Sequence, residues 1–328
     1  MRHTLFLCFV SVFLFAFDIQ TKGDVTAHYE KINYKHPMID DNISRYVSMN
    51  FELKTYLDDY KLLSNIIGLY DKQYEDKSYL KFNELYIQKE FENITIKLGR
   101  DIKYWGALEI DNIADIYNQK NTTLDRFDKD QKLGTDAITF EYFFQNDTDI
   151  SFIASKYDDN ITKYLKYSGA IDIVNGVDFG FIAKHDDNNT QYINYTTAIV
   201  GSNIFKLEYI NTNTKNTNFY KAGIGYERTF FKVLNKNDIV ILVEYYKSNI
   251  KQQNTTTGQD DIFAGIKYNF NDVDSSDIIF GMIKDMDDLS YSYTAESNTK
   301  FFDILKTKLS YIQNDFFKRY YVSFGYHF

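Results

Sequence analysis

Arg319-Tyr320-Tyr321-Val322-Ser323-Phe324-Gly325-Tyr326-His327-Phe328 closes the sequence and decides the fold. Tyr320, Val322, Phe324, Tyr326 and Phe328 share one parity, while Arg319, Ser323, Gly325 and His327 share the other, with Tyr321 the exception. A period of two puts each set on its own face of one strand. In a soluble sandwich such a strand would leave an aromatic stripe at a sheet edge. A closed barrel in a membrane accepts it, because lipid meets the stripe and pairing with the first strand removes the edge.

The same alternation recurs upstream. Val47, Met49, Phe51 and Leu53 oppose Ser48, Asn50, Glu52 and Lys54. Ala222, Ile224 and Tyr226 oppose Lys221, Gly223, Gly225 and Glu227, and Ile262, Ala264, Ile266, Tyr268 and Phe270 oppose Gly265, Lys267 and Asn269. One face suits lipid and the other is polar, the pattern of a barrel with a wet interior. Strand-like segments are read at 25–34, 45–57, 60–70, 79–91, 93–100, 135–145, 149–157, 163–173, 177–185, 191–200, 203–211, 219–230, 237–247, 261–270, 276–286, 289–296, 301–312 and 316–328. This predicts an all-β, antiparallel transmembrane barrel of 18 strands, with 16 as the neighbouring count. Connection lengths agree through the middle of the chain. Long segments at 101–134, 186–190, 212–218 and 248–260 alternate with tight ones such as Asp58-Asp59, Glu92 and Gly201-Ser202.

The terminal strand also resembles the C-terminal strand of bacterial outer-membrane β-barrel proteins. The resemblance implies that Tyr320, Val322, Phe324, Tyr326 and Phe328 form the signal read by the barrel-assembly machinery. It also implies a bacterial outer membrane as the location and outer-membrane lipid as a partner.

The start of the chain fits export. Met1-Arg2-His3-Thr4 is basic and Leu5 to Phe17 is an apolar run too short to span a bilayer, so residues 1–23 read as a signal peptide. Thr21-x-Gly23 places the mature start near Asp24, giving a barrel over 24–328. The single cysteine, Cys8, lies within the apolar run, which excludes disulfides, thiolate metal sites and Cys nucleophiles from the remainder. Tyr and Phe number 29 and 28, far above the need of a soluble core and suited to interfacial girdles. Without residues 1–23 the chain carries 35 basic and 45 acidic residues, a balance that argues against nucleic acid.

One connection, 101–134, is too long for a passive turn. It follows Leu98-Gly99-Arg100, passes through Lys103, Tyr104, Trp105 and Gly106, and continues to Ile116-Tyr117-Asn118. This stretch resembles a segment of some large proteobacterial outer-membrane porins and exporters. In those proteins the pattern ends in Asn-Pro, whereas Gln119 follows Asn118 here. Ile110, Ile113, Ala114 and Tyr117 have helical spacing, which predicts a short helix near 107–118 that folds into the lumen.

The candidate constriction residues are then Arg100, Lys103, Trp105, Glu109, Asp111, Asp115 and Arg126. Facing lysines such as Lys206, Lys221 and Lys267 would complete a transverse field, and Glu109, Asp111 and Asp115 would favour cations. Arg100 shares parity with Ile94, Ile96 and Leu98. It either turns inward at a bulge made by Gly99 or snorkels at the outer rim.

These features predict a passive channel for small hydrophilic solutes or ions, working alone or as a homo-oligomer. The alternative is a surface receptor or adhesin that uses loops 101–134 and 248–260. An outer-membrane lipid hydrolase is weaker: among His28, His36, His185 and His327 only His185 is suitably placed, with no nucleophile-like Ser on the flanking segments. Asp272-Val273-Asp274 fails as a calcium loop because Asp277 and Ile283 stand where Gly and Glu are needed. No cofactor, metal site or catalytic residue is predicted.

Overall fold

The computed structural model describes residues 19–37, 39–72, 78–120, 132–157, 160–172, 176–234, 236–250, 259–272, 276–302 and 304–328. Strands β1 (Ile19–Tyr34), β2 (Asn42–Leu57), β3 (Tyr60–Asp71), β4 (Tyr79–Glu90) and β5 (Ile94–Asp101) form the first part of the wall. A two-stranded ribbon of β6 (Gln119–Lys120) and β7 (Lys132–Leu133) interrupts it. The wall resumes with β8 (Thr135–Phe143), β9 (Thr148–Tyr157), β10 (Asn160–Ile171), β11 (Val177–His185), β12 (Asn189–Val200), β13 (Asn203–Thr214) and β14 (Asn218–Leu234). It is completed by β15 (Asn237–Ser248), β16 (Asp260–Asn269), β17 (Asp277–Asp285), β18 (Tyr291–Phe301), β19 (Leu305–Gln313) and β20 (Phe317–His327).

Every wall strand pairs antiparallel with its neighbour in sequence, β5 pairs with β8, and β1 pairs with β20. The sheet therefore closes with 18 strands and leaves no edge around its circumference. Closure runs from Asp24↔His327 to Tyr34↔Phe317, and the Gly23 and Phe328 backbones exchange hydrogen bonds of 2.8 and 2.9 Å. At this end of the barrel the turns are short. Asp58 and Asp147 adopt positive φ there, a conformation that Asp tolerates in tight turns. β1 begins at Ile19, so residues 19–23 lie against β2 in the register Ile19↔Thr55 to Gly23↔Phe51.

Phe324, Tyr326 and Phe328 are all more than half exposed on the outer face, in line with a lipid-facing stripe. The inner face departs from the sequence reading in one sector. On β9 to β17 the inward positions include Ile153, Tyr164, Ile182, Ile193, Ile210, Leu242, Phe263 and Ile283, all buried. A wet interior does not bury such side chains. They are covered by the chain that leaves β5.

Phe328 lies over Gly23, where a Cβ would come within 2.8 Å of the ring, so the outward aromatic also fits the closing seam. Phe328→Asp is expected to cut the folded, heat-modifiable fraction on electrophoresis several-fold, while Phe328→Tyr retains it. An unchanged folded fraction in the Asp variant would contradict this role for the seam.

Candidate functional site

After Asp101 the backbone turns into the lumen and crosses it through residues 102–118, which form bends and one turn but no helix. The helix expected near 107–118 is absent for a physical reason: its N–H groups are claimed by the wall. Glu208 of β13 accepts from the N–H groups of Ala107 and Leu108 on Oε1 and from Ala114 on Oε2, the last two at 2.8 and 2.9 Å. Glu244 of β15 accepts from Glu109 at 2.7 Å and Ile110 at 3.0 Å, and from the Tyr246 hydroxyl. That same hydroxyl accepts from the Asp111 N–H at 2.9 Å. Both carboxylates are fully buried, and no described cation lies in ion-pair contact with either. Their charge is met by five backbone N–H dipoles and a phenol, and without these donors burial would cost several kcal/mol per group.

Shape reinforces the anchoring. Inward-facing Gly223 and Gly225 leave a recess filled by Leu108, whose methyls lie 2.4 and 3.0 Å from where their Cβ atoms would stand. Gly106 has φ +97°, and a Cβ there would collide with Asn112 and Glu208. Trp105, Tyr117 and Tyr164 form an aromatic triangle with ring centroids 5.3–5.6 Å apart, packed on Ala114, Ile153, Ile182, Ile193 and Ile210. The Tyr117 hydroxyl donates to Asp101 at 2.5 Å, and burial and that carboxylate push its pKa up, so it stays a donor. Asn112 and Asn118 tie the segment to itself through Trp105 O, Asp115 N and Lys103 N.

Six of the seven predicted constriction residues can now be placed. Arg100 is a correction: its outward parity holds, and it forms a bidentate pair with Asp136 at 2.7 and 2.8 Å on the outer face of the wall. It also donates to Phe82 O beside the point where β4 runs on past its pairing with β5, so it acts at the rim and not in the lumen. Lys103 is half-buried and bridges Asp101 at 3.3 Å and Glu141 at 3.5 Å. Trp105 is buried in the aromatic triangle. Glu109 pairs with Lys206 at 3.2 Å, and Lys206 also holds Glu227 at 3.1 Å. Asp111 is partly exposed on the segment, whereas Asp115 is buried between Lys132 at 2.6 Å and Asn118 at 2.8 Å. Lys267 pairs with Asp277 at 3.0 Å instead of facing the loop. Arg126 lies outside the described residues.

The docked segment fills one side of the barrel. A cavity of about 990 Å³ remains along the other, bounded by β1–β4, β18–β20 and the residues flanking the ribbon. Its wall carries Lys22, Lys132, Lys300, Lys306 and Lys308 together with Asp24, Glu52, Glu84 and Glu296. Sequence reasoning missed His28 there. Its ring stacks on Tyr46 at 4.3 Å and is bonded to Ser48 at 2.6 Å and Tyr321 at 2.5 Å. The signal was its inward parity beside two tyrosines, which only the β1–β2 and β1–β20 registers bring together. His185, the histidine singled out from sequence, bonds to Thr190 at the exposed end of its strand.

Glu208→Gln keeps the side chain's shape and removes its charge, weakening charge-assisted bonds of about 1.5–3 kcal/mol each. Single-channel recording is expected to show a larger and noisier open level, with Glu244→Gln additive in direction. Traces indistinguishable from the parent would mean that these carboxylates do not hold the segment.

Comparison of the sequence with known protein families and with curated proteins finds no match. Comparison of the structure finds many. A BenF-like porin from Pseudomonas fluorescens Pf-5 superposes with a TM-score of 0.68 at 8% identity over 94% of this chain and 98% of that one. Pseudomonas aeruginosa OccK2 (OpdF) in complex with glucuronate gives 0.67 at 7% identity over 94% and 96%. Acinetobacter baumannii OccAB4 gives 0.65 at 10% identity over 95% and 98%. At such identities the likeness is one of architecture, and the chain is a transmembrane β-barrel with the fold of these outer-membrane porins.

Proposed function

We propose that the protein is a passive, water-filled channel of the bacterial outer membrane for small charged hydrophilic solutes. The observation that carries this reading is the cavity left beside the docked segment, lined by ionised groups of both signs. A barrel of 18 strands is wide enough to keep an aqueous path even with one side filled. Glucuronate, bound by one of the structural neighbours, is a solute of the size and charge such a path would pass.

The carboxylates expected to favour cations give less reason for it than their sequence positions did. Asp115 is buried in an ion pair and Glu109 is paired with Lys206, so their fields are largely cancelled at source. Selectivity instead falls to the opposite wall. There Glu296 is offset by Lys308 and Glu52 by Lys22, while Lys300 and Lys306 have no described acidic partner within ion-pair distance. The balance there tips toward anions.

Residues 102–118, being docked inside, are withdrawn from any receptor surface, which weakens the adhesin reading of loop 101–134. Export directed by the N-terminal apolar run, with cleavage upstream of β1 so that Lys22 and Gly23 stay in the barrel, and reading of the Tyr320–Phe328 stripe by the assembly machinery, complete the proposal.

Planar-bilayer recording tests it. Discrete ohmic openings are expected, and in a KCl gradient Lys300→Glu with Lys306→Glu should move the reversal potential toward cations. Asp111→Asn should move it less in the opposite sense. A sealed barrel, or a reversal potential that follows Asp111 and ignores both lysines, would contradict the reading.

A further inference from the structure

The sequence carries a net charge of -9, yet the charges that face outward from its strands are mainly basic. Inward parity takes the acids: Glu30, Glu52, Glu208, Glu244 and Glu296 all point into the barrel. Among the described strand residues the outward acids are Asp136 and Asp260. Each is already matched, by Arg100 at 2.7 Å and by Lys247 at 3.5 Å.

Other outward cations gather in two groups at the end of the barrel away from its termini. Around the closing seam, Lys318 of β20, Lys31 of β1 and Arg45 of β2 follow one another diagonally, because Asn33 pairs with Lys318, Lys31 with Ile43 and Tyr29 with Arg45. Farther round the wall, Lys156 of β9 and Lys163 of β10 are likewise diagonal, through Lys156↔Ile161 and Ala154↔Lys163. Neighbours on the same outer face, Tyr29, Val47, Phe152, Leu165 and Tyr320, are exposed. Both groups therefore border the lipid-facing surface. Arg45 lies over the Tyr29 ring at 5.8 Å, and no described acid is within ion-pair distance of any of these cations. Like charges on adjoining strands repel one another and call for an anion. Their alkyl stems lie along apolar wall while the charged heads reach the headgroup layer. Phosphates of that layer supply the charge, and one phosphate accepts hydrogen bonds from two or three such donors at once.

We propose that these two groups hold the phosphate head groups of anionic lipids in the leaflet that surrounds this end of the barrel. The partner is a membrane lipid, because the cations rise from an apolar surface that lipid chains must cover. The inference rests on the barrel and its membrane, and stands apart from whether the lumen conducts.

Native mass spectrometry of the folded protein in a neutral detergent tests this, with phosphatidic acid and phosphatidylcholine of equal chain length as probes. The parent is expected to hold phosphatidic acid with an apparent Kd about tenfold lower. Lys31→Gln with Arg45→Gln and Lys318→Gln should shrink that ratio several-fold. Lys156→Gln with Lys163→Gln should do so separately, and either set suffices should the other impair assembly as judged by heat-modifiable migration. Lys166→Gln removes an inward lysine of β10 that pairs with Asp149 at 3.3 Å, and it should leave the ratio unchanged. Equal constants in the parent, a ratio unmoved in both sets, or an equal fall in Lys166→Gln would overturn the proposal. Displacement of bound phosphatidic acid by an equimolar amount of inorganic phosphate would overturn it too, since the site would then take the free anion and not the lipid.

Discussion

Two carboxylates buried in the wall of a barrel must be satisfied by something, and here the partner is a strand-to-strand connection. Glu208 and Glu244 project inward from β13 and β15, and neither is neutralised by a described cation. A helix in residues 107–118 would keep its N–H groups for its own carbonyls and leave both carboxylates facing a dry surface. The irregular segment instead spends its N–H groups on the wall, and the aliphatic spacing that suggested a helix becomes two apolar contacts. Leu108, Ile110 and Ile113 join Leu242, Phe263 and Ile283, while Ala114 and Tyr117 join the Trp105 cluster. Local propensity loses to desolvation, as the relative magnitudes require: tenths of a kcal/mol per residue against several per buried charge.

The barrel was legible because alternation survives wherever the inner face is wet. Strand 45–57 displays it, as does the terminal stretch from Arg319, and there the outward parity matches the structure. Reading was harder on β9 to β13, where Ile182, Ile193 and Ile210 make the inner face apolar as well and blur the period. The cause lies far away in sequence, in the segment 102–118, whose inward course no local pattern states. Gly223, Gly225, Glu208 and Glu244 looked like ordinary polar-face residues. Only the register of β13, β14 and β15 turns them into a recess flanked by acceptors. Arg100 was left between two readings, and its pairing with Asp136 selects the rim.

An off-centre path follows from the same anchoring. With the segment pinned to β8–β17, water is left against β1–β4 and β18–β20, so the surfaces a solute meets come mostly from the two ends of the chain. This assigns separate tasks to separate parts. Carboxylates near the middle of the sequence fix the obstacle, and lysines and aromatics near its ends face the traffic.

Cysteine reactivity gives the most direct test of this arrangement, since Cys8 is the only native cysteine and can be replaced by Ser. Ala114 is fully buried under the docked segment, whereas Tyr104, on the same segment, is 65% exposed to the cavity. With a small charged maleimide added to the folded protein, Tyr104→Cys should be labelled rapidly and Ala114→Cys should be protected at least tenfold. Introducing Glu208→Gln together with Glu244→Gln should erase most of that difference. Equal labelling of the two positions in the otherwise unaltered barrel would contradict the account, because the segment would then be free in the lumen and not held by the wall.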